Sequence, residues 1–310
     1  MKKIYIVTGF LGAGKTTFIN EFISLFPMEK LKIIVNEFGS VGVDGDVLRK
    51  SGAQVEEINS GSIFCSCRMD HFENALQKVL AEEKEIILVE TSGLSDTTKA
   101  RHIICDNPKF KELAYAGCIC LIDAARFHKV LKTALVVQKQ VMTADIFLLN
   151  KTDLVEAEDL QATVDVLKGM NEQAVLYQTS FGKIEGSFRE SLQNPVVIDL
   201  KDVVSTNDIT TRKFVISLAE NQSIRYMERF IRSFLIDTYR VKGFIKAREG
   251  VFLVNGVGKQ LDIVLQEEEA YASHLDTLNQ LVVLSGGGMP TKSTIKKSVE
   301  LFSDCVISWT

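Results

Sequence analysis

Near the start of the chain, Gly9-Phe10-Leu11-Gly12-Ala13-Gly14-Lys15-Thr16 fits the pattern G-x-x-x-x-G-K-[ST]. Nothing else in the sequence restricts the fold as strongly, because such a loop works only between a buried strand and a helix. Both flanks are present: the apolar stretch Ile4-Tyr5-Ile6-Val7 leads in, and Phe18, Ile19, Phe22, Ile23 and Phe26 follow as one helical stripe. Glycines let the backbone curl until successive N–H groups face a phosphate chain. The helix behind adds the positive end of its dipole. Gly9, Gly12, Ala13, Gly14, Lys15, Thr16 and Thr17 are therefore the expected phosphate-binding set. Lys15 should reach the β- and γ-phosphates, and the Thr16 hydroxyl should bind Mg²⁺. With no nucleotide bound, Lys15 is expected to face solvent.

Further along, Ile33-Ile34-Val35, Ile86-Ile87-Leu88-Val89, Gly117 to Ile122 and Ile146-Phe147-Leu148-Leu149 read as buried strands, and Phe72, Leu76, Val79 and Leu80 mark a helix after Asp70. Continuous apolar strands separated by helices imply an α/β P-loop domain with a mostly parallel sheet covered on both faces. The pattern changes around Asn194-Pro195 and Ser205-Thr206-Asn207-Asp208. After it come strands near Lys213 to Leu218, Val241 to Ala247, Val251 to Val254, Leu261 to Leu265, Leu281 to Leu284 and Cys305 to Trp309. Helices are expected at Ile224 to Tyr239 and Thr291 to Phe302. Two helices on one face of a mostly antiparallel sheet make a small α+β domain of ferredoxin-like type. The expected domains are residues 1–203 and 208–310.

A second motif, Asn150-Lys151-Thr152-Asp153, follows the strand that ends at Leu149. The Asp153 carboxylate can accept from both N1–H and the 2-amino group of guanine, and Lys151 should pack along the base. Adenine has neither donor and would leave a desolvated carboxylate unpaired, so the expected nucleotide is GTP. Thr179-Ser180, near the next strand end, either touches the base or is a plain loop. The strand Ile86 to Val89 delivers Glu90 to the carboxyl edge of the sheet, where open α/β sheets bind ligands. There Glu90 can hold a magnesium-bound water or orient an attacking one, unless it merely caps a helix. Gly93, three residues on, can offer its N–H to the γ-phosphate, unless it is a simple turn.

Taken together, these motifs resemble the CobW/UreG/HypB family of P-loop GTPases, of the SIMIBI class. The resemblance is carried by Gly9 to Thr17, Glu90-Thr91-Ser92-Gly93 and Asn150 to Asp153. Asn36-Glu37-Phe38-Gly39 with Val43-Asp44-Gly45 is similar to the first switch of the CobW branch, and Asp123-Ala124 to its strand end. Arg240-Val241-Lys242-Gly243-Phe244 resembles part of the CobW C-terminal domain. The resemblance implies hydrolysis of GTP to GDP and phosphate, by water attack on the γ-phosphate. It also implies a nucleotide-dependent homodimer and a client metalloprotein or cofactor-assembly protein. Glu37 and Asp44 would lie near the magnesium, and Glu37, Glu90 and Lys15 are the expected catalytic residues. Turnover should be slow, because no arginine finger is identifiable in the sequence.

One segment departs from that pattern. Where the CobW branch carries Cys-x-Cys-Cys, this chain has Gly61-Ser62-Ile63-Phe64-Cys65-Ser66-Cys67. Only Cys65 coincides with a family cysteine; Ser62 and Phe64 replace the others, and Cys67 is an addition. In extended backbone the Cys65 and Cys67 sulfurs share one side of the chain and can grip Zn²⁺ or Co²⁺. Zinc wants four ligands, so Glu37, His71 or a second copy's cysteine pair would have to complete the set. Two function classes remain open: a metallochaperone carrying an ion on Cys65 and Cys67, or a GTP-driven regulatory partner of a metalloenzyme or corrinoid protein that carries no metal. Cys65 and Cys67 as small core residues would suit the second.

Composition excludes several alternatives. A net charge of −4, with pI about 5.7, offers no basic face for nucleic acid. No apolar run approaches the ~18 residues of a membrane span. Six cysteines without an export signal are expected to be reduced thiols in the cytoplasm. Cys118 and Cys120, alternating within an apolar strand, read as core.

Overall fold

The computed structural model describes residues 1–37, 54–59, 69–95, 97–193, 197 and 212–310. They divide into two units, Met1–Asp208 and Ile209–Thr310.

The first unit is built on seven strands: β1 (Lys2–Gly9), β2 (Leu31–Glu37), β3 (Val55–Asn59), β4 (Ile86–Glu90), β5 (Leu113–Asp123), β6 (Ile146–Asn150) and β7 (Val175–Gln178). Their order is β3-β2-β4-β1-β5-β6-β7, and every described pairing is parallel. The apolar runs are continuous because helices cover both faces. On one face Tyr5, Val7, Leu88 and Leu148 pack with Phe18 and Phe22 of helix Lys15–Ile23 and with Phe188 and Leu192 of helix Gly186–Gln193. On the other, Ile4, Ile6, Ile87 and Val89 pack with Phe72, Leu76 and Val79 of helix Met69–Ala81 and with Ile103 and Ile104 of helix Thr98–Asp106. The stripe from Phe18 to Phe26 outlasts its helix. The helix closes at Ser24 before Pro27, but tighter bonds from Leu25 N to Phe22 O and Phe26 N to Ile23 O keep the Phe22 and Phe26 rings 5.1 Å apart. β3 has no strand signature: Val55-Glu56-Glu57-Ile58-Asn59 neither alternates nor forms an apolar run.

The second unit is a six-stranded antiparallel sheet of β8 (Arg212–Leu218), β9 (Arg240–Ala247), β10 (Gly250–Val257), β11 (Gln260–Gln266), β12 (Gln280–Ser285) and β13 (Val306–Trp309). Its order is β11-β10-β9-β12-β8-β13. Without the β10–β11 hairpin, this is a βαββαβ unit whose strands lie fourth-first-third-second, the ferredoxin-like arrangement. Helices Ile224–Leu235 and Thr291–Leu301 complete it, and Met227, Phe230, Phe234 and Ile295 fill its core. The first of these helices stops short of the expected Tyr239. Thr238 turns back on Leu235 O, and Tyr239 N is already donating to Leu284 O at 2.7 Å, so the chain has entered the sheet.

Candidate nucleotide site

Because the strands of the first sheet run parallel, Glu37, Glu90, Gly9, Asp123 and Asn150 all end on one edge. The register aligns them: Glu90 lies beside both Val7 and Val35, Gly9 beside Leu121, and Asp123 beside Asn150. From β1 the chain goes to one side to form β2 and β3, returns for β4, then crosses to β5 on the other side. The reversal is at β1, and a ligand crevice is expected at its carboxyl end.

The loop in that crevice needs its glycines. Gly9, Gly12 and Gly14 have φ of 137°, 79° and 103°. A Cβ on Gly9 would strike the Leu121 carbonyl, and one on Gly14 the Asn150 amide. Helix Lys15–Ile23 starts behind Gly14 with no acidic residue in its first turn, which leaves that end suited to an anion. Thr16 is half-buried and Thr17 exposed at its mouth. Lys15 differs from expectation. It is only 8% exposed, and its Nζ donates to Gly9 O at 2.8 Å and Phe10 O at 3.4 Å. The loop curls its own carbonyls toward the ammonium, which folds inward to meet them.

Asn150 ties this loop to the second motif. Its side chain, 2% exposed, donates from Nδ2 to Ala13 O at 2.9 Å and accepts from Gly182 N at 3.1 Å. Lys151 sits at φ 62°, its Nζ 2.8 Å from Asp123 Oδ2. Asp123 Oδ1 accepts from Ala125 N, which fixes the carboxylate. Thr152 Oγ1 donates to Thr179 O at 3.1 Å and lies 3.2 Å from Ser180 Oγ. Thr179 and Ser180 are thus fastened to the Asn150–Asp153 motif, and Asp153 itself is exposed.

On the other flank, Glu90 is 4% exposed at the end of β4. Thr91 donates to Val7 O from N at 2.9 Å and from Oγ1 at 3.2 Å, clamping β4 to β1. Gly93 lies flush on the phosphate loop: a Cβ there would be 2.6 Å from the Leu11 side chain and 2.7 Å from Leu11 N. Buried Gln140, on helix Leu135–Met142, donates to Gly93 O and Ser95 O at 3.3 Å. Arg126 Nη1 reaches Leu11 O at 3.5 Å, and burial lowers the guanidinium pKa against the pull of Asp123. Sequence reasoning missed Gln140 and Arg126. Arg126 follows Asp123 by three residues, but no pattern says that it turns toward the loop.

Glu37 ends β2 with its backbone beside Asn59 of β3. Asp44, Cys65 and Cys67 lie outside the described residues. Among the described residues no group of three or more His, Cys, Asp or Glu is placed to hold a metal. Cys118 and Cys120 are core, as their alternation indicates, and burial raises both thiols, Cys120 to about 12 although Lys15 pulls it down. His102 pairs with Asp106 at 2.6 Å, His128 lies 3.1 Å from Thr163 Oγ1, and His274 stacks on Phe244. No helix among the described residues is long and apolar enough to cross a membrane.

The sequence model of the CobW/HypB/UreG nucleotide-binding domain matches residues 3–178, more than half of the chain. The chain belongs to the CobW/HypB/UreG family. Among its relatives, the zinc chaperone YjiA of Escherichia coli (strain K12) is 30% identical over 195 residues, covering 59% of this chain and 58% of that protein. The zinc chaperone YeiR of the same organism is 25% identical over 308 residues, covering 90% and 93%. The zinc chaperone CobW of Sinorhizobium sp is 32% identical over 191 residues, so the chain spans little more than half the length of YjiA and of this CobW. Among solved structures, the Zn(II)-bound YjiA GTPase of E. coli superimposes with a TM-score of 0.47 at 21% identity, covering 97% of this chain and 98% of that one.

Proposed function

We propose that this family member binds Mg²⁺–GTP at the crevice beyond β1, hydrolyses it to GDP and phosphate, and uses the cycle to hand a transition metal to a client metalloprotein. The observation that carries the nucleotide reading is the Asn150 bridge. One buried amide holds Ala13 of the phosphate loop and Gly182 of the loop beside Asp153, so a single ligand with a triphosphate at one end and a planar base at the other fits.

The donor set fits the magnesium nucleotide. Gly9 and Gly14 let the loop lie against the Leu121 carbonyl and the Asn150 amide, where a Cβ would clash. The Lys15 ammonium can exchange the Gly9 and Phe10 carbonyls for β- and γ-phosphate oxygens, and so offset charge that grows in the transition state. Thr16 and Glu90, with Glu37 at the neighbouring strand end, supply the hard oxygen ligands that Mg²⁺ favours, directly or through water. Bound there, Mg²⁺ would polarise the γ-phosphate. Glu90, held in a buried position, orients the attacking water, while Gly93, pressed on Leu11, presents its N–H. Asp153 selects guanine, and the ion pair with Asp123 holds Lys151 for the base.

For the cargo, the zinc-chaperone relatives support Zn²⁺ on the thiolates of Cys65 and Cys67, kept reduced in a cytoplasmic protein. A homodimer joining two such pairs would give the four ligands zinc wants. The second reading, a regulatory partner without metal, is favoured by one observation: Ser62 and Phe64 stand where the CobW branch has cysteines. Calorimetry on the reduced protein tests both parts. GTP should bind far more tightly than ATP, and Asp153→Asn should shift preference toward xanthosine triphosphate. Lys15→Ala should abolish turnover. Equal affinity for GTP and ATP would overturn the nucleotide reading. Unchanged zinc affinity in Cys65→Ser/Cys67→Ser would leave the regulatory reading.

A further inference from the structure

Phe181 is a large apolar side chain that is 69% exposed, on a backbone at φ 59°. The left-handed region penalises any residue with a Cβ, and an aromatic ring left in water gains nothing from burial. Gly182 follows at φ 66°, so the chain makes two successive left-handed steps. The ring does not join the aromatic cluster next to it, where Phe18 and Tyr177 both pack on Phe188. A turn of this shape is made more cheaply with glycine or asparagine at both positions. The position is nonetheless fixed from both sides. Before it, Thr179 O and Ser180 Oγ are held by Thr152 Oγ1. After it, Gly182 N donates to Asn150 Oδ1, and Gly182 lies so close to Phe18 that a Cβ would come within 3.0 Å of its backbone. Thr179 Oγ1 closes the loop by donating to Lys183 O at 3.0 Å.

We propose that Phe181 is a base-stacking residue, forming one wall of the nucleobase end of the site. The inference rests on the GTP reading above. Its anchors, Asn150 and Thr152, are members of the motif whose Asp153 reads guanine, so the loop that carries the ring is attached to the base-reading segment itself. Stacking on an aromatic face is blind to base identity, because every base has a π-face. The division of labour follows: Asp153 selects the base, and Phe181 adds affinity to whichever base enters.

Equilibrium titration of the full chain with GTP, ITP and inorganic triphosphate tests this. Phe181→Ala should weaken GTP and ITP alike, by about tenfold, and leave inorganic triphosphate unchanged. Phe181→Trp should restore the GTP affinity. Phe181→Gly should raise the melting temperature, because the strain is relieved, while weakening GTP as alanine does. A purely structural role would move both quantities in one direction. Native GTP affinity in Phe181→Ala overturns the inference, as does an equal loss for inorganic triphosphate. If the native chain itself binds GTP no better than inorganic triphosphate, the nucleotide reading fails and this inference with it.

Discussion

Asn150 shows how much one side chain can hold. Its amide makes one bond as donor, to Ala13 O, and one as acceptor, from Gly182 N, partners 137 and 32 residues away in sequence. Asn150→Ala should cost about 2 kcal/mol, since it leaves the Ala13 carbonyl and the Gly182 N–H without their partner in a buried setting. GTP affinity should fall as well, because both ends of the site loosen. Asn150→Asp keeps the acceptor for Gly182 N but sets a carboxylate against Ala13 O, so it should harm the loop at Ala13 more than the loop at Gly182. Denaturant unfolding and calorimetry on the two variants check this; a native affinity in both would show that the loops hold themselves. The sequence motif names Asn150 but not this role, since nothing in the spacing places Ala13 beside it. The inward fold of Lys15 was hidden for the same reason: it depends on where the Gly9 and Phe10 carbonyls point.

At the scale of the element, the central strands carry their chemistry in buried form. Cys120 on β5 and Tyr5 on β1 have their acid groups raised to about 12 by burial. An acid whose folded pKa lies above its unfolded value contributes stability that is full below the unfolded value and is lost as pH rises toward the folded one. The unfolded values are 9.0 for Cys120 and 10.0 for Tyr5. The melting temperature should therefore fall between about pH 9 and pH 12, while near neutral pH, where both groups are protonated in either state, their contribution is full and does not vary with pH. Cys120→Ala should flatten the first part of that fall; an unchanged profile in this variant would show that the thiol is not involved. The strands themselves were legible because continuous Ile, Leu and Val runs have few other uses, as in β4 and β6. β3 was not: an edge strand with two glutamates in five residues is fixed by its pairing with β2, which no local pattern records. Likewise the end of helix Ile224–Leu235 is decided by Leu284, far along the chain.

At the scale of the molecule, the two units draw their cores from separate residues. The clusters around Phe18 and Phe72 contain only residues of the first unit, and the cluster around Phe230 only residues of the second. The change of hydrophobic pattern after the α/β part made this division readable, since parallel-sheet runs give way to alternating antiparallel strands. The nucleotide contacts proposed above all lie in the first unit. Ligand binding to one folded unit stabilises it by RT ln(1 + [L]/Kd), about 2.7 kcal/mol at a hundredfold excess over Kd. Phe230 is fully buried, and Phe230→Ala should cost about 3–5 kcal/mol in the second unit. Scanning calorimetry should then resolve two transitions. GTP should raise one and leave the other in place, and Phe230→Ala should lower the one that GTP does not move while GTP affinity stays native. A single transition that both perturbations shift would show that the two cores unfold as one cooperative body, and that the second unit contributes to the stability of the nucleotide site.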